Sequence, residues 1–87
     1  MPYAVAFKAS ALKEVEKLPP AIARKVLVKA AALADDPRPS GCAKLAGADN
    51  LWRVRIGRYR IVYVVDDTAQ RVDVRIVAHR RDVYRGL

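Results

Sequence analysis

The residues best equipped for chemistry lie in the carboxyl half, where the run WRVRIGRYR places arginines at positions 53, 55, 58 and 60. Arg53 and Arg55 are two residues apart, the spacing that puts side chains on one face of a strand, while Trp52, Val54 and Ile56 take the other face. A guanidinium stays charged at neutral pH and offers a planar fork of donors that can grip a phosphate at two points, which lysine cannot do. The chain changes its cation accordingly. Residues 1–44 hold six lysines and two arginines against four acids, whereas residues 45–87 hold nine arginines, no lysine and five acids. The whole carries +8, a balance that favours nucleic acid, an acidic protein or an anionic surface as partner. The single histidine, His79, supplies an imidazole, the side chain that ordinarily moves a proton near neutrality. No carboxylate pair accompanies the arginines, since Asp66 and Asp67 have the character of turn residues, so metal-dependent phosphodiester chemistry is not expected. A lone cysteine, Cys42, makes neither an internal disulfide nor a zinc site by itself.

These groups need elements to hold them, and 87 residues suffice for one domain, 1–87. No apolar run exceeds five residues, too short for a membrane span or a signal-peptide core, so a cytoplasmic address is expected. Tyr3, Val5 and Phe7 alternate as in a short strand. Ser10 is placed to cap a helix with Ala11, Leu12, Val15 and Leu18 on one stripe, stopped by Pro19. Pro20 suits the first turn of a second helix, whose stripe is Ile22, Val26, Ala30 and Leu33, with Arg24, Lys25 and Lys29 off it. The aperiodic segment DPRPSGCAKLAGADN then reads as a long loop. Three strands follow. Residues 51–56 lead through a Gly57–Arg58 turn into a strand with Tyr59, Ile61, Tyr63 and Val65 on one face and Arg60, Val62 and Val64 on the other. Alternation in the last strand, from Val72 to about Ala78, sends Val72, Val74 and Ile76 inward and Arg75, Val77 and His79 outward. The outward face then collects Arg53, Arg55, Arg60, Arg75 and His79. Strict alternation would set Arg80 inward, unless the strand ends or bulges near Ala78.

The pattern WRVRIGRYRIVYVVDD, followed by VAHRRDVYR near the chain end, resembles the RelE/ParE family of toxins from type II toxin–antitoxin systems, RelE-like branch. The opening YAVAF, the KLPPAI junction and the DDPRPSGCAKLAG loop extend the likeness along essentially the whole chain. It implies an α+β, RelE-like fold of strand–helix–helix and then a three-stranded antiparallel meander, with the helices packed on one sheet face. The RelE branch is known for ribosome-dependent endoribonucleases (mRNA interferases) that cut messenger RNA through attack of the ribose 2'-hydroxyl and so inhibit translation. The ParE branch shares the fold and acts on DNA gyrase.

Carried over residue by residue, the resemblance puts the catalytic cations at Arg53, Arg55, Arg60 and Arg80 and a functional tyrosine at Tyr84. Arginine stands at 53 and 55 where some members carry lysine, and a guanidinium is a poor general base. The proton carrier is then His79 or Tyr84. Lys44, Arg58, Arg75 and Arg81 are expected to bind RNA, and no cofactor or metal is implied. The implied partners are a cognate antitoxin, in a toxin–antitoxin hetero-oligomer, and the ribosome with its mRNA, but no membrane. The alternatives are a ParE-like gyrase inhibitor without nuclease activity and a degenerate accessory protein that binds antitoxin.

Overall fold

In the computed structural model, residues 2–45 and 50–79 are described. The elements run β1 (Ala4–Phe7), α1 (Ala9–Glu16), α2 (Pro20–Ala32), β2 (Ala43–Lys44), β3 (Leu51–Ile56), β4 (Tyr59–Asp66) and β5 (Arg71–His79). The strands form one sheet in the order β1-β5-β4-β3-β2. β1 runs parallel to β5, and the remaining neighbours are antiparallel. The meander β3–β4–β5 thus forms the sheet's centre, and the amino-terminal strand closes one side by a crossover through both helices, as a parallel pairing requires.

Both helices lie where their apolar stripes dictate. Ala11 and Val15 of α1, and Val26, Ala30 and Leu33 of α2 and its C-cap, are buried against Val54, Ile61, Tyr63, Val65, Val72, Val74 and Val77 of the sheet. Pro20 opens α2 at a position where a missing N–H costs nothing. Two details depart from the sequence pattern. Helix α1 begins at Ala9 with Lys8 as N-cap and no side-chain cap bond, so Ser10 lies inside its first turn and does not cap it. Leu12, assigned to the buried stripe, is 44% exposed.

The segment expected to be one long loop contributes β2, which pairs Ala43 with Arg53 and Lys44 with Trp52. The sheet therefore has five strands among the described residues where four were expected. A second correction concerns β5. Tyr63 pairs with Val74 and Val62 with Ile76, so Arg75 is one residue too many and forms a bulge. The bulge reverses the alternation beyond it: Val77 turns into the core, opposite Ile61, and Ile76 turns out, opposite Val62. Val77 was expected outside and Ile76 inside. Two adjacent apolar residues fit either register locally, and pairing with β4 chooses between them.

Candidate functional site

Strand pairing assembles the arginines. Cross-strand partners share a face, so the face turned away from the helices carries Leu51, Arg53 and Arg55 of β3 opposite Val64, Val62 and Arg60 of β4. Arg55 and Arg60 stand directly opposite one another. Two guanidinium groups on directly opposed positions can approach one anion from neighbouring strands. Arg53 lies beside this pair and is half-buried; among the described residues its Nε is shielded from water with no hydrogen-bond partner. The ion pairs among the described residues are Lys17–Glu14, Arg38–Asp67 and Arg71–Asp73, so neither Arg53 nor Arg55 is neutralised by them.

The other expected site residues are placed as follows. The bulge takes His79 away from the arginines: it pairs with Tyr59 on the helix-facing side, their rings edge-to-face with centroids 5.6 Å apart. Ala78, not His79, stands opposite Arg60. Arg75, the bulge residue, lines a cleft of about 250 Å³ between α1 and β5 with Ser10 and Glu14, apart from the Arg53–Arg55–Arg60 group. Arg58 is exposed in the β3–β4 turn, where Gly57 takes a positive φ of 57°. Lys44 is exposed at the β2 edge beside Trp52. Arg80, Arg81 and Tyr84 lie outside the described residues.

One wall of the site is fixed by residues that the sequence did not single out. The Arg38 guanidinium donates to both oxygens of Asp67, at 3.1 and 2.7 Å, and the Tyr3 hydroxyl donates to the same carboxylate at 2.6 Å. Arg38 also lies over the Trp52 ring, 5.1 Å from its centroid. The arginine beside it holds the Asp67 carboxyl below the usual range, and that carboxylate in turn raises the Tyr3 hydroxyl. Further in, Tyr63 donates its hydroxyl to the Pro37 carbonyl at 2.7 Å, and burial pushes that phenol up. These contacts pin the segment after α2, which continues through a turn closed by the Cys42 N–H on the Pro39 carbonyl. Gly41 in that turn has φ 91°, a conformation costly for any side chain bearing Cβ. No local signal marks Arg38 as the partner of Asp67, which is 29 residues away.

The turn faces a cleft of about 450 Å³ lined by Lys29, Ser40, Gly41, Arg53, Val54 and Arg55. Among the described residues no three His, Cys, Asp or Glu side chains converge as metal ligands would. The chemistry on offer is cationic: donors for phosphate or carboxylate oxygen and stabilisation of negative charge. No helix among the described residues is long and apolar enough to cross a membrane.

The family described as ParE toxin of type II toxin-antitoxin system, parDE, matches residues 5–84. Toxin RelG of Mycobacterium tuberculosis is 35% identical over 86 residues, covering 98% of this chain and 99% of that protein. Toxin RelE of the same organism is 34% identical over 85 residues, covering 97% and 88%. Among solved structures, the archaeal RelE–RelB complex from Pyrococcus horikoshii superposes with a TM-score of 0.82 at 28% identity, covering 92% of this chain and 97% of that one. The toxin–antitoxin complex RelBE2 from M. tuberculosis gives 0.79 at 31% identity, covering 92% and 100%.

Proposed function

Since the chain belongs to the ParE toxin family of type II toxin–antitoxin systems, within the RelE/ParE group, we propose that it is a toxin of the RelE kind, an endoribonuclease that cleaves messenger RNA on the ribosome. The observation that carries this reading is the gathering of Arg53, Arg55 and Arg60 on the sheet face that the helices leave free. In the proposed reaction the 2'-oxygen attacks the adjacent phosphorus. The O2'–P bond forms, the P–O5' bond breaks, and the products are a cyclic phosphate and a free 5'-hydroxyl. One proton leaves the 2'-hydroxyl and one reaches O5'. The three guanidinium groups would hold the phosphate and take up the charge that grows on the phosphorane, where preformed donors are worth most. This donor set needs no metal ion for charge stabilisation.

Permanently protonated guanidinium groups cannot accept the 2'-hydroxyl proton. His79 stands with Tyr59, off the arginine face, so proton transfer would fall to Tyr84, with Arg80 as a further phosphate cation. Arg58, Lys44, Arg75 and Arg81 are proposed to contact RNA outside the reacting phosphate. A cognate antitoxin is the proposed partner, in a hetero-oligomer; the P. horikoshii and M. tuberculosis RelBE2 relatives were solved in such complexes. The proposed address is the cytoplasm, where mRNA and ribosomes are.

Expression without a partner protein should stop translation before DNA replication, with new mRNA ends appearing. In single-turnover assays on programmed ribosomes, Arg60→Ala should slow cleavage roughly 10²–10³-fold, more than it weakens binding. Replication arrest first, with gyrase-linked DNA breaks and intact mRNA, would replace this reading by gyrase inhibition.

A further inference from the structure

The cleft at the β3 edge has a feature that strand alternation alone does not provide: a third cation, from a helix. Beyond Arg53 no β2 residue pairs with β3, and α2 runs past this open edge. Lys29 thereby meets Arg53 and Arg55 around one cleft, with Ser40 and Gly41 opposite and no acid among the described residues of the lining. A second cleft of about 450 Å³ continues from it along α2, sharing Lys29 and Arg55 and adding Arg24 and Lys25. The rest of its described lining is apolar, Val28, Ala32 and Ile56, with no acid. Lys29, Arg53 and Arg55 take part in none of the ion pairs among the described residues, and among those residues the shielded Nε of Arg53 has no acceptor. Three cations gathered without a counter-charge among the described residues repel one another, at a cost that a bound anion would reverse.

We propose that this cleft is an RNA subsite in which Lys29, together with the flanks of Arg53 and Arg55, holds a backbone phosphate next to the scissile one, so that the RNA path bends around the β3 edge onto α2. The inference rests on the RNA reading of the arginine face, and it adds Lys29 as a binding residue. Phosphate fits this first cleft better than a protein segment does, because Val54 is the single apolar residue among its described lining, which is otherwise cations, Ser40 and Gly41, whereas the apolar surface that a docked peptide buries lies in the adjoining cleft, at Val28, Ala32 and Ile56.

The test is binding of a 2'-O-methyl single-stranded RNA, which cannot be cleaved, followed by fluorescence anisotropy at several salt concentrations. Lys29→Ala should weaken binding about tenfold at low salt, and lower the slope of log affinity against log salt by about 0.7, the value for one fewer phosphate neutralised on a single strand. Lys29→Arg should restore most of both, and Lys13→Ala, an exposed lysine on α1, should change neither. On programmed ribosomes, most of the Lys29→Ala defect should fall on the half-saturating concentration and less on the saturating rate. Wild-type affinity and slope in Lys29→Ala, an equal loss in Lys13→Ala, or no binding of this RNA by the wild type would each overturn the subsite. An equal loss toward polyglutamate would overturn its assignment to RNA. A wild type that binds the RNA but never cleaves mRNA would defeat the nuclease reading and leave the subsite to be judged on binding alone.

Discussion

The two faces of the sheet are made from the same strands, residue by residue in alternation, and they do opposite work. Toward the helices stand Val54, Ile61, Tyr63, Val65, Val72, Val74 and Val77, each buried to 2% exposure or less. Away from the helices stand Arg53, Arg55 and Arg60 beside Val62 and Ile76. The first face gains by removing apolar surface from water, at about 25 cal/mol per Å². The second sets Arg55 directly opposite Arg60 across neighbouring strands and buries Val62 between Arg53 and Ile76. A small domain tolerates such a charged face because the other supplies the surplus, and substitutions on the two faces should therefore move stability and activity separately.

The largest expected effect tests the helix-facing side. Ile61→Ala should lower unfolding free energy by about 2–5 kcal/mol, the range for emptying a well-packed core site, as read from urea denaturation. A loss below about 1 kcal/mol would mean that this face is not the seat of stability. Arg55→Gln probes the opposite face and should separate activity from stability. Arg55 is exposed, so its loss should leave stability within about 0.5 kcal/mol of wild type, while cleavage falls. If stability drops as far as it does in Ile61→Ala, the contrast fails.

The smallest effect concerns the clamp at the sheet's other end. The Asp67 carboxyl is held below its ordinary range, first by the Arg38 guanidinium and then by the Tyr3 hydroxyl. A depressed folded-state value means that this contribution is complete above the ordinary carboxylate pKa of about 4. It is lost as pH falls through the lower folded value. Asp67→Asn should flatten the stability–pH curve below about pH 4, with little change elsewhere, because the pair is exposed and screened. Parallel acid curves for variant and wild type would show that the clamp contributes nothing to acid stability.

How much of this was legible in the sequence differs from element to element. In β3 and β4 the alternation of arginine with apolar residues assigned both faces correctly, because period two is a property of any extended backbone. The α2 stripe of Val26, Ala30 and Leu33 was equally plain, and so was the glycine at the β3–β4 turn. The short strand β2 was not, since two residues carry no periodicity. In β5 the alternation held to Val74 and then failed, moving His79 from the arginine face to the side of Tyr59.

By itself, then, the sequence determined which side chains could share a face within each unbroken strand or helix, the excess of positive charge and its concentration as arginine in the meander, and the family. Those properties follow from local backbone geometry and composition. Tertiary structure alone decided the bulge at Arg75, the Arg38–Asp67–Tyr3 clamp and the meeting of Lys29 with Arg53 and Arg55. Each depends on where a distant segment lies: β4 sets which residue of β5 is surplus, and the packing of α2 against the sheet sets which lysine reaches the β3 edge. Adjacent apolar residues such as Ile76 and Val77 satisfy burial in either register, so no local pattern could choose between them before the partner strand was in place.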